Sequence, residues 1–282
     1  MNSADFTTPL DRKGLLQSCG VLGVAVITGT LTYIMWKSGH PVLALAGLVV
    51  HGNVCSLFIS GVHELSHGRV FKTKRLNKIL ANVFGFLNWT CPKEYIAIHS
   101  GHHGPTALHK HDPEREITCR PLWIGTWVWS AVFNFPRAIF GIINAPLWIK
   151  LTHGLLLVVS TISGFGVAWL VLVTLAPFWF GWFELLLNYA QHGGMKLDAG
   201  ELQDSTRSIR IPRWLSFIHW HMEYHLEHHM HPAVPCYNLP ALSKALGTKR
   251  ESLWQAWEFI LSNRTQGRCG HGVSPLGKLL KS

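Results

Sequence analysis

Apolar and polar positions alternate along this chain in long blocks rather than residue by residue. The first block, residues 15–36 from Leu15 to Trp36, is long enough as a helix to cross a hydrocarbon core of about 30 Å. A short turn, Lys37-Ser38-Gly39-His40-Pro41, leads into a second block at 42–62, with His51 and Asn53 as its polar interruptions. Residues 147–163 make a third block, Gly164-Phe165-Gly166 a turn, and 167–187 a fourth, which Pro177 bends. The pattern predicts an all-α integral membrane protein, with four transmembrane helices in two hairpins and a single domain over 1–282. Residues 121–146 differ. They are apolar and rich in tryptophan (Trp123, Trp127, Trp129) but are broken by Asn134, Pro136 and Arg137, which suits a helix lying in the membrane–water interface.

Parity supports this count. Four spans leave the polar stretches 63–120 and 191–282 on one side, and with them every histidine cluster described below. A fifth span at 121–146 would separate those clusters. With both termini cytosolic, Lys37 is the sole Lys or Arg in an outer loop, as the positive-inside rule requires. Hydrophobic residues make up 48% of the 282 and charged residues 14%, too few to cover a soluble surface. The formal charge of +10 comes from the segments between apolar blocks and forms no stripe on a soluble domain, which argues against nucleic-acid binding. The six cysteines (19, 55, 91, 119, 236, 269) contain no CxxC pair, so neither a zinc ribbon nor a disulfide framework is expected. The N-terminus lacks a basic region before its first residues and reaches the apolar block only after Arg12-Lys13, so that block reads as a retained span.

The chemistry lies in the histidines. His225, His228 and His229 are spaced to share one face of a helix, and the same grammar recurs in His99, His102 and His103. His63 and His67 sit at i, i+4 where the second block ends, and His192 follows Asn188 by one turn. Asn188 is placed to hold a metal-bound water through its amide. Together these are nine imidazoles, too many for one ion and suited to two with four or five nitrogens each. Neutral nitrogen donors favour iron, zinc or copper over magnesium or calcium. Two redox-active ions point to oxidation with dioxygen. The stretch His63-Glu64-Leu65-Ser66-His67 also spells the H-E-x-x-H of zinc peptidases, so an intramembrane zinc metallopeptidase is the competing enzyme and a non-catalytic metal carrier a third reading. His221, at i, i+4 to His225, is a candidate substitute ligand. Glu64, Asp112, Glu223 and Glu227 are candidates to orient imidazoles through their outer nitrogens. His219 flanks the third box with His221, His109 and His111 are expected to shape the cytosolic cap, and His40, His51, His153 and His271 are expected apart from the ligand set.

These boxes, with Asp112-Pro113-Glu114 and with His231-Pro232 through Asn238-Leu239-Pro240, resemble the membrane fatty-acid desaturase and hydroxylase superfamily from about residue 45 to 245. The resemblance implies a non-haem di-iron centre, a cytosolic helical cap carrying the histidine boxes, and a tunnel for an acyl or isoprenoid-like chain. It implies His63, His67, His99, His102, His103, His192, His225, His228 and His229 as iron ligands, with Asn188 acting through water. Dioxygen is then the co-substrate and a double bond in a fatty-acyl or other lipid-like chain the expected product; a hydroxylase or ketolase of the same superfamily is the alternative. With no fused haem domain, electrons are expected from a separate b-type cytochrome or ferredoxin, docked on the basic cytosolic face. The protein would be multi-pass, in the endoplasmic reticulum of a eukaryote or the inner membrane of a bacterium.

Overall fold

The structure, a computed structural model, describes residues 6–103, 111–112 and 141–262. All but the last residues of the expected interfacial helix at 121–146 lie outside these, as do His109 and His271.

Helix α1 (Asp11–Lys37) begins on an acid and ends on a base, complementing its dipole. Apart from Val21 its inward face is small or polar (Gly14, Gln17, Ser18, Ala25, Gly29, Thr32), whereas Leu16, Val26 and Ile27 are 60–69% exposed. That is the reverse of a helix packed in a water-soluble protein. Small residues let α1 approach α2 (Pro41–Ser56) closely, and a methyl group at Gly47 would press on Thr32. Gly39, at φ +75, makes the turn between them. After a one-residue break at Leu57 the chain continues as α3 (Phe58–Ser66). Among the described residues, Asp11–Lys37 and the run Pro41–Ser66 are long and apolar enough to cross a membrane.

Helix α4 (Lys74–Leu87) lays Asn77, Ala81, Phe84 and Gly85 against α3 and turns Lys74, Arg75 and Lys78 outward. Trp89, at φ +56, reverses the chain, and Pro92 opens α5 (Pro92–His102). The third apolar block forms α6 (Leu147–Ile162), whose 16 residues rise about 24 Å. The fourth block is not one helix. It starts as α7 (Gly166–Trp169), widens into a π-helical turn at Leu170–Thr174, tightens at Ala176–Phe178 around Pro177, and breaks. Phe180 (φ +52) and Gly181 then lead into α8 (Trp182–His192). Pro177 accounts for the interruption, but helix resumes only at Trp182, so the interruption is wider than a bend.

The C-terminal part is a set of short helices: α9 (Arg213–Ile218), α10 (His225–Met230), α11 (Leu239–Leu246) and α12 (Leu253–Ser262). Two short strands, β1 (Ile209–Arg210) and β2 (Glu251–Ser252), pair in parallel with Ile209 opposite Glu251. Two apolar clusters form among the described residues: a small one packs Ile149 of α6 with Trp89 and Phe178, and the main core has Leu57, Phe84, Leu187, Leu239 and the fully buried Trp220 among its members. It lies beneath the ends of α3, α5, α8 and α10, the four elements that carry the histidine boxes. Tyr237 ties α1 to this assembly by accepting from the Leu10 amide (2.8 Å) and donating to the Val70 carbonyl (3.0 Å).

Candidate metal centre

The nine histidines singled out by the sequence come together in two groups. The first is His63, His67, His99, His103 and His228; the second is His102, His192, His225 and His229. Within each group one nitrogen from every ring lies within 4.8 Å of the others. Helix geometry explains the division. Residues i and i+4 are about 40° apart around the axis, whereas i+3 falls about 60° to the other side. His99 and His103 therefore face the first group while His102 faces the second, and in α10 the roles reverse: His225 and His229 face the second group, His228 the first. The second and third boxes thus feed both groups, which abut, while His63 and His67 serve only the first and His192 only the second; the rings of His103 and His229 stack with centroids 4.5 Å apart.

Outer nitrogens fix the tautomers. His102 Nδ1 lies 2.8 Å from Asp112 Oδ2, and His192 Nδ1 lies 2.9 Å from the Ser205 carbonyl oxygen. Carboxylate and carbonyl oxygens accept, so both Nδ1 atoms carry the proton and both Nε2 atoms present lone pairs. Those two Nε2 atoms are only 3.2 Å apart, and His192 Nε2 is 2.8 Å from His225 Nε2. Converging lone pairs repel unless a cation lies among them. In the first group, His63 Nδ1 and His228 Nδ1 lie 3.1 and 3.3 Å from the same oxygen, Glu64 Oε1. His63 Nε2 and His67 Nε2 are buried with no hydrogen-bond partner among the described residues.

Protons are poor candidates for that cation. Burial, with His99 adding to it, pulls the His67 imidazole down to about 3. Burial first, and neighbouring imidazoles second, hold His225, His228 and His229 well below the ordinary histidine range. These four rings are neutral, the form that binds metals, and the donor set is all nitrogen, which suits iron, zinc or copper. The residues fit two metal ions.

Other candidates fall elsewhere. The Asn188 amide donates to Glu184 Oε1 one turn earlier, at 2.9 Å. His221 pairs with Ser216 (2.9 Å), and His219 sits between Ser60 and Gln191, so both lie outside the two groups. Of the four carboxylates expected to orient imidazoles, Glu64 and Asp112 do so, whereas Glu223 and Glu227 accept from Ser216 and Ser208. The peptidase reading is not supported. Glu64 turns toward the outer nitrogens of His63 and His228, and His63 and His67 share their space with three further imidazoles. Sequence reasoning missed Ser205, whose contribution is a backbone carbonyl 13 residues from His192 and carries no side-chain signal. The resemblance implied a tunnel without placing it; the structure has an apolar cavity of about 610 Å³ bounded by α1, α2 and the 165–176 segment and lined by Leu22, Gly29, Phe58, Leu87 and Val173 among others.

A family model described as fatty acid desaturase matches residues 38–257. No curated protein matches the chain.

Proposed function

The chain belongs to the fatty acid desaturase family, and from that premise we propose that it is a membrane-embedded, di-iron, dioxygen-dependent desaturase of a fatty-acyl or other lipid-like chain. The observation that carries this reading is the pair of abutting imidazole groups, five and four, with lone pairs turned inward by Glu64, Asp112 and Ser205. His63, His67, His99, His103 and His228 would hold one iron, and His102, His192, His225 and His229 the other. Bound there, the irons would supply the oxidising chemistry: with dioxygen, two electrons and two protons, two hydrogens leave adjacent carbons and two waters form.

The protein's own residues do the rest. Glu64 and Asp112 hold protons on the outer nitrogens and lock the ring orientations. The cavity of about 610 Å³ offers an apolar wall for the substrate chain. Phe58 and Leu87 in its lining belong to the elements next to the first two boxes, so a chain lying there would run toward the metals. Asn188, one turn before His192, would meet the second iron through water.

The apolar blocks 15–36, 42–62, 147–163 and 167–187 would cross the bilayer, with both termini and the histidine cap in the cytosol. Arg69, Lys72, Lys74, Arg75 and Lys78 are exposed on the cap and suit an acidic electron carrier. The test is a product assay on iron-loaded protein with a reduced carrier and acyl substrates. An alkene supports desaturation; a hydroxylated chain with no alkene overturns it in favour of the hydroxylase.

A further inference from the structure

The break in the fourth apolar block poses a backbone problem. A helix that stops at Thr174 leaves carbonyls without partners, and a helix that restarts at Trp182 leaves N–H groups without partners. Side chains fill these places. The Val171 carbonyl accepts from Trp179 Nε1 (3.0 Å), Thr174 from Trp89 Nε1 (2.7 Å), and Leu172 from His51 Nε2 (2.8 Å). Across the break, the Phe183 N–H in the first turn of α8 donates to Asn53 Oδ1 at 3.0 Å. Asn53 Nδ2 in turn donates to the Val49 carbonyl of its own helix (2.8 Å). Between the two polar residues lies Gly52, where a β-carbon would sit 2.1 Å from the Trp179 carbonyl oxygen. His51 and Asn53 are each 3% exposed. Three consecutive residues of α2 thus hold the end of one helix, the crossing strand and the start of the next.

We propose that His51-Gly52-Asn53 is a positioning element of the metal centre: by clamping both sides of the break it fixes where α8 delivers His192 to the four-histidine group. The inference rests on the metal-centre reading above. From the Asn53–Phe183 bond, His63 lies 10 residues further along α2–α3 and His192 lies 9 residues further along α8. Both paths climb about 14–15 Å. The bond therefore sets the register between two histidine-bearing elements. A slip of one residue in α8 would move His192 by about 1.5 Å and turn it by about 100°. Metal sites tolerate about 0.5 Å and 10–20°. The five-histidine group takes no ligand from α8, so the effect is confined to its neighbour.

The experiment is an anaerobic titration of ferrous iron into full-length, detergent-purified protein, counting bound iron per chain. Asn53→Leu removes both amide bonds, and Gly52→Ala pushes a methyl group into the Trp179 carbonyl. In either variant the first iron is expected to bind as in wild type and the second about 10–100-fold more weakly, as in His192→Ala. Asn53→Asp, which keeps an acceptor for the Phe183 N–H, is expected to restore the second iron. Wild-type binding of both irons by Asn53→Leu and Gly52→Ala would overturn the proposal. So would parallel loss of both irons, or failure of both variants to give monodisperse protein, because the triplet would then hold the fold and not one group. Wild-type protein that binds no iron would instead refute the metal-centre reading on which the proposal stands.

Discussion

Glu64→Gln separates an oxygen-activating centre from a hydrolytic one. In the structure a single oxygen, Glu64 Oε1, faces His63 Nδ1 at 3.1 Å and His228 Nδ1 at 3.3 Å. The His63 contact is a hydrogen bond, worth about 1.5–3 kcal/mol to a charged acceptor and about 0.5–1.5 kcal/mol to a neutral one; burial pushes the Glu64 carboxyl up to about 8, so at neutral pH a cation bound nearby is what keeps it charged. Glutamine keeps the shape and an accepting oxygen but loses the charge. That bond then weakens by about 1 kcal/mol, which is about fivefold in a binding constant. The five-histidine group should therefore bind ferrous iron about fivefold more weakly, with the four-histidine group unchanged and partial activity recovered at high iron. His228→Ala removes a ligand outright and should abolish activity. The assay is anaerobic iron titration followed by turnover at saturating iron. Iron affinity within about twofold of wild type would refute the orienting role. Complete loss of activity with the metal fully bound would instead restore Glu64 as a general base.

Further outcomes follow from other contacts. Asp112→Asn should weaken the four-histidine group by about 10–100-fold, because Asp112 is the acceptor for His102 Nδ1; the same titration reads it. His221→Ala should keep both irons, since His221 pairs with Ser216 outside the groups, and loss of iron would make it a ligand. Tyr33 and Phe165, with ring centroids 6.1 Å apart, line both the apolar cavity and a neighbouring one of about 660 Å³. Phe165→Ala should join the two and shift preference to longer chains at unchanged iron content; an unchanged product profile would place the substrate elsewhere. Trp220→Ala, at a fully buried position, should cost about 3–5 kcal/mol of stability, read as a lowered unfolding midpoint.

Spacing rules made the histidines legible, because i, i+3 and i+4 positions share one side of a helix whatever the tertiary fold. The first two apolar blocks were equally plain, since twenty or more apolar residues leave few alternatives to a long helix. The break at 175–181 was only half visible. Pro177 announces an interruption, but its width depends on donors from His51, Trp89 and Trp179 and on an acceptor from Asn53, three of the four distant in sequence. Viewed alone, His51 and Asn53 were polar interruptions of a span, and their purpose emerges only against the segment they hold. Asn188 shows another limit: its spacing to His192 suggests a metal-facing amide, but the bond from its Nδ2 to Glu184, at the same spacing on the other side, is equally allowed by the helix and is seen only in the fold.

The central claim is that nine imidazoles hold two irons in unequal surroundings. Metal analysis with Mössbauer spectroscopy on iron-57-loaded, detergent-purified protein tests it most directly. The account predicts about two irons per chain in two distinct non-haem signals, one for each histidine group. One tightly held zinc and no iron would contradict it, leaving the converging lone pairs of the second group without an occupant.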